Sequence, residues 1–150
     1  MRFYALVAAL GLAALAGCDS TSEETTAPPD RPRPGPEERV VRRWIAALNR
    51  GDYGEAGRYF ARGAIVDQGT PLRLRNRAAA RFFNATLPCR ADLVAVDDEP
   101  GSKALASFRL RAGPGGPCEG RARVRVTVED GRFTAWRQLP EAREPDGPVV

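Results

Sequence analysis

Few side chains in this sequence are suited to catalysis or to metal binding. The chain of 150 residues has three Cys and no His, so it lacks the commonest general base and the commonest zinc ligand of proteins. We therefore predict no metal site and no cofactor. The carboxylates of Asp67 and Glu129 are the groups that we consider for acid–base chemistry, although no recognisable catalytic motif surrounds either of them.

The first cysteine, Cys18, completes a Leu-Ala-Gly-Cys segment that follows Arg2 and an apolar run from Phe3 to Ala16. This layout is typical of an export signal, and the apolar run of about fourteen residues is too short to span a hydrocarbon core of roughly 30 Å. The segment resembles the lipobox of bacterial lipoproteins, in which the Cys is acylated. We expect residues 1–17 to be a signal peptide and Cys18 to anchor the protein to the outer face of the cell membrane. The alternative is an ordinary cleaved signal in which Cys18 is incidental.

The other two cysteines, Cys89 and Cys118, each follow a Pro. In an oxidising compartment we expect them to form a structural disulfide, with free thiols or a redox pair as the alternatives. A bridge that closes about 30 residues would stabilise the fold by roughly 3–4 kcal/mol on the chain-entropy model. The prediction requires the two Cα atoms to lie within roughly 7 Å of each other.

Composition divides the remaining chain into three parts. Residues 18–36 are rich in Pro, Ser and Thr and should form a disordered tether, residues 37–140 should form one domain, and residues 141–150 should be a disordered tail. The domain has 19 basic and 12 acidic side chains. For an exported protein, this charge favours attraction to anionic lipid headgroups or acidic wall polymers, and we predict no nucleic-acid partner.

Hydrophobic periodicity predicts helices in the first half of the domain and strands in the second half. A first helix should begin at Pro36 and end at Gly51, with Trp44 on its apolar face. Asp52 should cap a shorter helix that includes Phe60, and Asn76 should cap a third helix with Phe82 and Phe83 facing inward. A short strand over 64–66 and four long strands at about 93–96, 103–111, 121–129 and 132–139 complete the pattern, which predicts an α+β domain.

The dipeptide Asp130-Gly131 predicts a two-residue turn between the last two strands. With that turn, Val126 should oppose Ala135 and Arg125 should oppose Trp136. Trp136 would then share a half-polar face with Arg123 and Arg125. That face is either a solvated outer surface or the wall of a pocket or dimer interface.

Several segments resemble the nuclear transport factor 2-like superfamily, which includes ketosteroid isomerase and SnoaL-like polyketide cyclases. The resemblance rests on Val-Arg-Arg-Trp-Ile-Ala-Ala-Leu-Asn-Arg-Gly-Asp-Tyr at 41–53, Tyr-Phe-Ala at 59–61, Ala-Ile-Val-Asp at 64–67 and Asp-Gly-Arg-Phe-Thr-Ala-Trp-Arg-Gln-Leu at 130–139. It implies a cystatin-like cone in which a strongly bent antiparallel sheet wraps three N-terminal helices and leaves a cavity at one end.

The resemblance also argues against isomerase chemistry. Trp44 stands where the isomerase has a Tyr hydrogen-bond donor, and Gln68 stands where it has the Asp base. Asp67 is one position earlier and should point to the other side of its strand. An amide and an indole cannot abstract a proton, so we assign no catalytic residue.

The sequence therefore predicts a non-catalytic domain that binds a small, partly apolar ligand or another envelope protein. The pocket candidates are Trp44, Phe60, Gln68, Phe83 and Trp136, with Arg123 or Arg125 supplying positive charge if the half-polar face points inward. The alternatives are a SnoaL-like enzyme with an unconventional carboxylate and a structural scaffold that forms homodimers.

Substitution of Cys18 tests the predicted anchor. Cys18→Ser should release the protein to the soluble fraction or leave the precursor uncleaved, because serine offers no thiol for acylation. Fractionation of cells followed by mass measurement would show this. A variant that is processed and membrane-bound like the parent would contradict the prediction.

Overall fold

The structure is a computed structural model, and it describes residues 33–140. The elements are α1 (Pro36–Asn49), α2 (Tyr53–Arg58), β1 (Phe60–Asp67), β2 (Pro71–Leu74), α3 (Arg77–Thr86), β3 (Arg90–Glu99), β4 (Lys103–Arg111), β5 (Arg121–Glu129) and β6 (Arg132–Leu139). None of the helices in this range is long and apolar enough to cross a membrane. The predicted signal peptide, the Cys18 anchor and the C-terminal tail lie outside the described residues, as does most of the tether.

The six strands form one curved sheet in the order β2-β1-β6-β5-β4-β3. All neighbours are antiparallel except β1 and β6, which are parallel. The predicted α+β class is confirmed. The order of elements differs from the prediction of helices first and strands afterwards, because β1 and β2 precede α3. The sequence analysis did not predict β2, and it predicted only residues 64–66 of β1.

Side-chain caps fix the starts of the two shorter helices as predicted. The Asp52 carboxylate accepts the Glu55 backbone N–H at 2.9 Å, and the Asn76 side chain accepts the Ala79 N–H at 2.9 Å. Two helix predictions were wrong. Phe60 begins β1 instead of ending α2, and Phe82 is 70 % exposed because α3 turns Ala80, Phe83 and Asn84 inward.

A β-bulge in the last hairpin changes which residues face the core. The turn pairs Glu129 with Arg132 and Val128 with Phe133 as expected, but Thr127 pairs with Ala135, which leaves Thr134 as an extra residue. Beyond the bulge the predicted pairs, Val126 with Ala135 and Arg125 with Trp136, were therefore wrong by one residue. Trp136 lies opposite Val126 and joins the core face, where only 3 % of it is exposed.

The core centres on the Trp44 indole, which four other aromatic rings approach edge-to-face. Its centroid lies 5.7 Å from that of Phe133 and 6.1 Å from those of Phe108 and Trp136, with Phe60 at 6.3 Å. Phe83 of α3 closes the cluster, 5.3 Å from Trp136. Such pairs contribute about 0.5–1.5 kcal/mol each beyond the burial of their area.

One hydrogen bond fixes the orientation of this central ring. The Trp44 Nε1–H donates to the Asn84 Oδ1 at 2.8 Å, and the Asn84 Nδ2 donates to the Ala80 carbonyl at 2.8 Å. Asn84 is fully buried, and no other polar or charged residue among the described residues is buried. The bond therefore joins α1 to α3 through the middle of the core, where an unmatched amide would be costly.

The Trp44–Asn84 bond predicts a measurable coupling. Trp44→Phe and Asn84→Leu should each lower the free energy of unfolding, since each leaves the other polar group buried without its partner, at a cost of about 1–3 kcal/mol. The double variant should lose less than the sum of the two, with a coupling of about 0.5–3 kcal/mol. Urea denaturation measures all three.

Trp136→Phe provides the matched control. It removes an indole N–H from the same core, but the Trp136 N–H has no acceptor within residues 33–140. It should therefore show no coupling to Asn84→Leu through a lost hydrogen bond. Additive losses for Trp44→Phe and Asn84→Leu would contradict the assigned role of the bond.

Candidate functional site

An apolar cavity of about 120 Å³ opens at the end of the sheet where β4 and β6 finish and β3 and β5 begin. Its lining consists of Trp44, Ile45, Leu48, Gln68, Leu87, Pro88, Cys89, Ala91, Phe108, Leu110, Ala122, Val124, Trp136 and Gln138. The volume is below the roughly 300–1,000 Å³ typical of sites for drug-sized ligands. It is close to that of an engineered cavity of about 150 Å³ that binds benzene.

The position of the cavity follows from the strand pattern. On β5, Ala122 and Val124 alternate inward and line it, while Arg123 points to the opposite face. On β6, the bulge at Thr134 brings Trp136 to the same side, and alternation from Trp136 then brings Gln138 there too. One inserted residue therefore places Trp136 and Gln138 in the cavity wall.

The disulfide forms part of the cavity wall. The sulfurs of Cys89 and Cys118 lie at bonding distance, and their Cα atoms are 5.8 Å apart, inside the limit that the sequence analysis set. The turn around Gly115 packs on the same wall, since the Gly115 N–H donates to the Pro88 carbonyl at 2.9 Å. The bridge therefore holds the 113–118 loop against the segment that lines the cavity.

A second connection fixes the other side of this wall. The Asn49 side chain at the end of α1 donates to the Ala91 carbonyl at 2.8 Å and accepts the Ala91 N–H at 3.1 Å. The amide forms the pair of hydrogen bonds that a neighbouring strand would form at the start of β3. Both backbone groups of Ala91 are therefore satisfied. Helix α1 and strand β3 are thereby held together where the cavity lies between them.

Two amides provide the polar part of the lining. The Gln68 Nε2 donates to the Gln138 Oε1 at 3.0 Å, and both residues are exposed, so the pair lies at the mouth while the indoles lie deeper. The pair leaves the Gln68 oxygen free to accept and the Gln138 amide free to donate. The cavity therefore combines an apolar interior with a neutral polar mouth.

The two indoles of the lining differ in their hydrogen bonding. The Trp44 N–H is bonded to Asn84, whereas the Trp136 Nε1 is buried with no partner among the described residues. A buried N–H without an acceptor costs about 1–3 kcal/mol. A ligand oxygen that reached the Trp136 indole would recover part of that cost.

The structure brings together only some of the residues selected from the sequence. Trp44, Gln68 and Trp136 line the cavity, whereas Phe60 and Phe83 pack within the aromatic core and do not reach it. Sequence reasoning missed the 87–89 connector, the end of β4 and the start of β5. The alternation of Phe108 and Leu110 could have identified that end of β4.

The two arginines proposed for the pocket lie outside it, because they alternate with the inward-facing valines of β5. Arg125 forms a two-pronged ion pair with Glu99, with N–O distances of 2.7 and 2.9 Å. The hydrogen bonds from Arg125 hold the pKa of the Glu99 carboxyl below its usual value. Arg123 lies on the same outer face.

No carboxylate lines the cavity among the described residues. Asp67 alternates away from Gln68 onto the outer face and pairs with Arg137 at 3.1 Å, and Glu129 lies exposed beside the hairpin turn. Burial, together with neighbouring Glu55, raises the pKa of Tyr59, but that residue is not in the lining. Residues 33–140 also contain no cluster of three potential metal ligands.

Solved structures with the same fold come from several bacteria. A protein of Kribbella flavida proposed to be a ketosteroid isomerase is 21 % identical, with a TM-score of 0.58 over 75 % of this chain and 84 % of its own. A proposed polyketide cyclase of Sinorhizobium meliloti is 20 % identical, with a TM-score of 0.56 over 67 % and 94 %. A nuclear transport factor 2-like protein of unknown function from Cytophaga hutchinsonii is 12 % identical, with a TM-score of 0.58 over 74 % and 94 %.

These likenesses establish the cystatin-like, nuclear transport factor 2-like fold and leave the activity open, because the identities are low. No curated protein matches the chain in sequence. The model of the SnoaL-like domain matches residues 41–136, which span the chain from α1 to the Trp136 indole of the cavity. The chain belongs to the SnoaL-like domain family.

Proposed function

We propose that this protein is a non-catalytic binding domain whose cavity takes a small, mainly apolar ligand with one hydrogen-bond acceptor. The observation that carries the proposal is the combination of an apolar interior with the unpartnered Trp136 indole N–H. The amides of Gln68 and Gln138 would contact the polar end of a ligand at the mouth. A single ring, or a chain end of similar size, suits a cavity of about 120 Å³.

Binding is favoured over catalysis by the chemistry of the lining. Abstraction or donation of a proton needs a titratable group within hydrogen-bond reach of the substrate. The carboxylates considered for that role, Asp67 and Glu129, face away from the cavity. The alternative of an enzyme with an unconventional carboxylate therefore gains no support from the geometry.

The site of action is proposed from the sequence. The Leu-Ala-Gly-Cys segment supports acylation of Cys18, which would anchor the domain outside the cytoplasm by a tether over 18–36. A cone with its cavity at one end would then present the opening to compounds of the cell envelope. An envelope protein and a second copy of the chain remain the alternative partners.

Two probe molecules that differ by one hydroxyl test the proposal. Phenol and benzene are added to the full chain labelled with ¹⁵N, and the indole N–H signals of its two Trp residues are followed. Both probes should bind and shift the Trp136 signal through their ring currents. Phenol should add a downfield shift that benzene does not give, because its oxygen accepts that N–H. The Trp44 signal should move less, because its N–H is already bonded to Asn84.

Replacement of two different alanines by leucine shows where the probes bind. Ala122→Leu fills the cavity and should weaken binding of both probes by about tenfold or more, which corresponds to 1.4 kcal/mol. Ala135→Leu makes the same change on the outer face and should leave both affinities unchanged. The proposal fails if neither probe binds up to its solubility limit, or if the two variants weaken binding equally.

A further inference from the structure

A second concave site lies apart from the apolar cavity and shares no lining residue with it. It encloses about 690 Å³ and is lined by Gly57, Arg58, Phe60, Ala61, Arg62, Asn76, Arg77, Ala80 and Arg132. Four of these nine residues are arginines, and none is acidic. The four come from different elements, namely the end of α2, β1, the first turn of α3 and the start of β6.

Close packing brings these elements together. Gly57 of α2 lies against α3 so closely that a Cβ there would be 3.1 Å from the Arg81 backbone nitrogen. Strand β1 is irregular between Phe60 and Ile65, and Gly63 within it has φ of +84°. Bulges of this kind redirect side chains beside functional sites. These two glycines therefore help to bring the segments that carry the arginines close together.

Most of the positive charge in this concavity is not neutralised. Arg58 pairs with Glu55 at 3.2 Å, but Arg62, Arg77 and Arg132 form no ion pair among the described residues. Within residues 33–140, five arginines outside the concavity have carboxylate partners within 4 Å, and others such as Arg43, Arg90 and Arg121 have none. What distinguishes the concavity is that three arginines without a carboxylate partner line one site that contains no acidic residue. Gathering arginines without such partners is unfavourable for the domain alone and favourable when an anion joins them.

The first turn of α3 adds to this positive field. Arg77 occupies the first helical position, and the turn contains no acidic residue. A basic side chain at the positive end of a helix is the less favourable choice for stability. Residues that are unfavourable for local stability, such as Arg77 at this position, are expected at functional sites. The Ala79 and Ala80 N–H groups of this turn are bonded to Asn76, and the N–H groups of Arg77 and Ala78, which have no acceptor among the described residues, favour an anion as well.

From this arrangement we propose that the concavity binds a phosphate-bearing anion. Arginine suits this ligand because its planar guanidinium can donate two parallel hydrogen bonds to phosphate oxygens. The volume is large enough for more than a single phosphate group. A membrane headgroup and a soluble phosphate share this chemistry, and the experiment below separates them. The proposal does not depend on the ligand of the apolar cavity.

Two arms of one NMR experiment test the site in the full chain labelled with ¹⁵N. In the first arm the chain is embedded in phosphatidylcholine nanodiscs and titrated with sodium phosphate at constant ionic strength. In the second arm the phosphatidylglycerol content of the nanodiscs is raised in steps and no phosphate is added. Saturable shifts of the Gly57, Arg77 and Ala78 amides are expected in the first arm for a soluble phosphate, or in the second arm for a headgroup.

Matched triple variants separate a site from bulk charge. Arg62→Gln, Arg77→Gln and Arg132→Gln together should weaken the interaction roughly a hundredfold, since a basic residue near an anionic surface contributes about a factor of five. Arg43→Gln, Arg90→Gln and Arg121→Gln remove the same charge from exposed positions outside the concavity and should preserve most of it.

Two results would overturn the proposal. One is the lack of saturable shifts at these amides in both arms. The other is an equal loss for the two triple variants, which would show that only net charge matters. Heat denaturation of each variant alone confirms that the substitutions leave the fold intact, which is expected because all six arginines are exposed.

Discussion

The hydrogen bond from the Trp44 indole to the Asn84 amide organises the interior of this domain. It fixes the ring at the centre of the aromatic cluster, and the other rings of that cluster pack edge-to-face on the Trp44 ring or on its neighbours. The bond also connects α1 with α3. The rings fill the centre of the core, and the apolar cavity opens at one end of the sheet.

Two different surfaces follow from this packing. At one end the small residues Ala91 and Ala122 leave room that the aromatic rings do not fill, and the disulfide and Asn49 hold that end in shape. In a separate region, close packing of Gly57 against α3 gathers arginines around the first turn of that helix. One set of contacts therefore creates an apolar cavity and the other creates a basic concavity.

The sequence was sufficient for the fold class and for the parts of the structure that depend on local chemistry. The Asp52 and Asn76 caps and the Asp130-Gly131 turn were predictable, since each needs only a few neighbouring residues. The pairing of Cys89 with Cys118 was predictable because they are the two cysteines that are left once Cys18 is predicted to be acylated.

Long-range features could not be obtained in the same way. The bulge at Thr134 leaves no local sequence signal, yet it moves Trp136 from the outer face to the core. Phe60 was misplaced because it continues the apolar pattern of α2 although the chain turns into β1. Nothing in the sequence indicates that Asn84 is buried. Its burial is explained by the position of the Trp44 indole, which donates a hydrogen bond to it.

Native mass spectrometry of the full chain, purified from its own cells, tests the central claim most directly. We expect a small bound compound on the parent chain and on Ala135→Leu, and no such compound on Ala122→Leu, whose cavity is filled. Parent chain that carries no compound, or the same compound on all three proteins, would contradict the account of the cavity as a binding site.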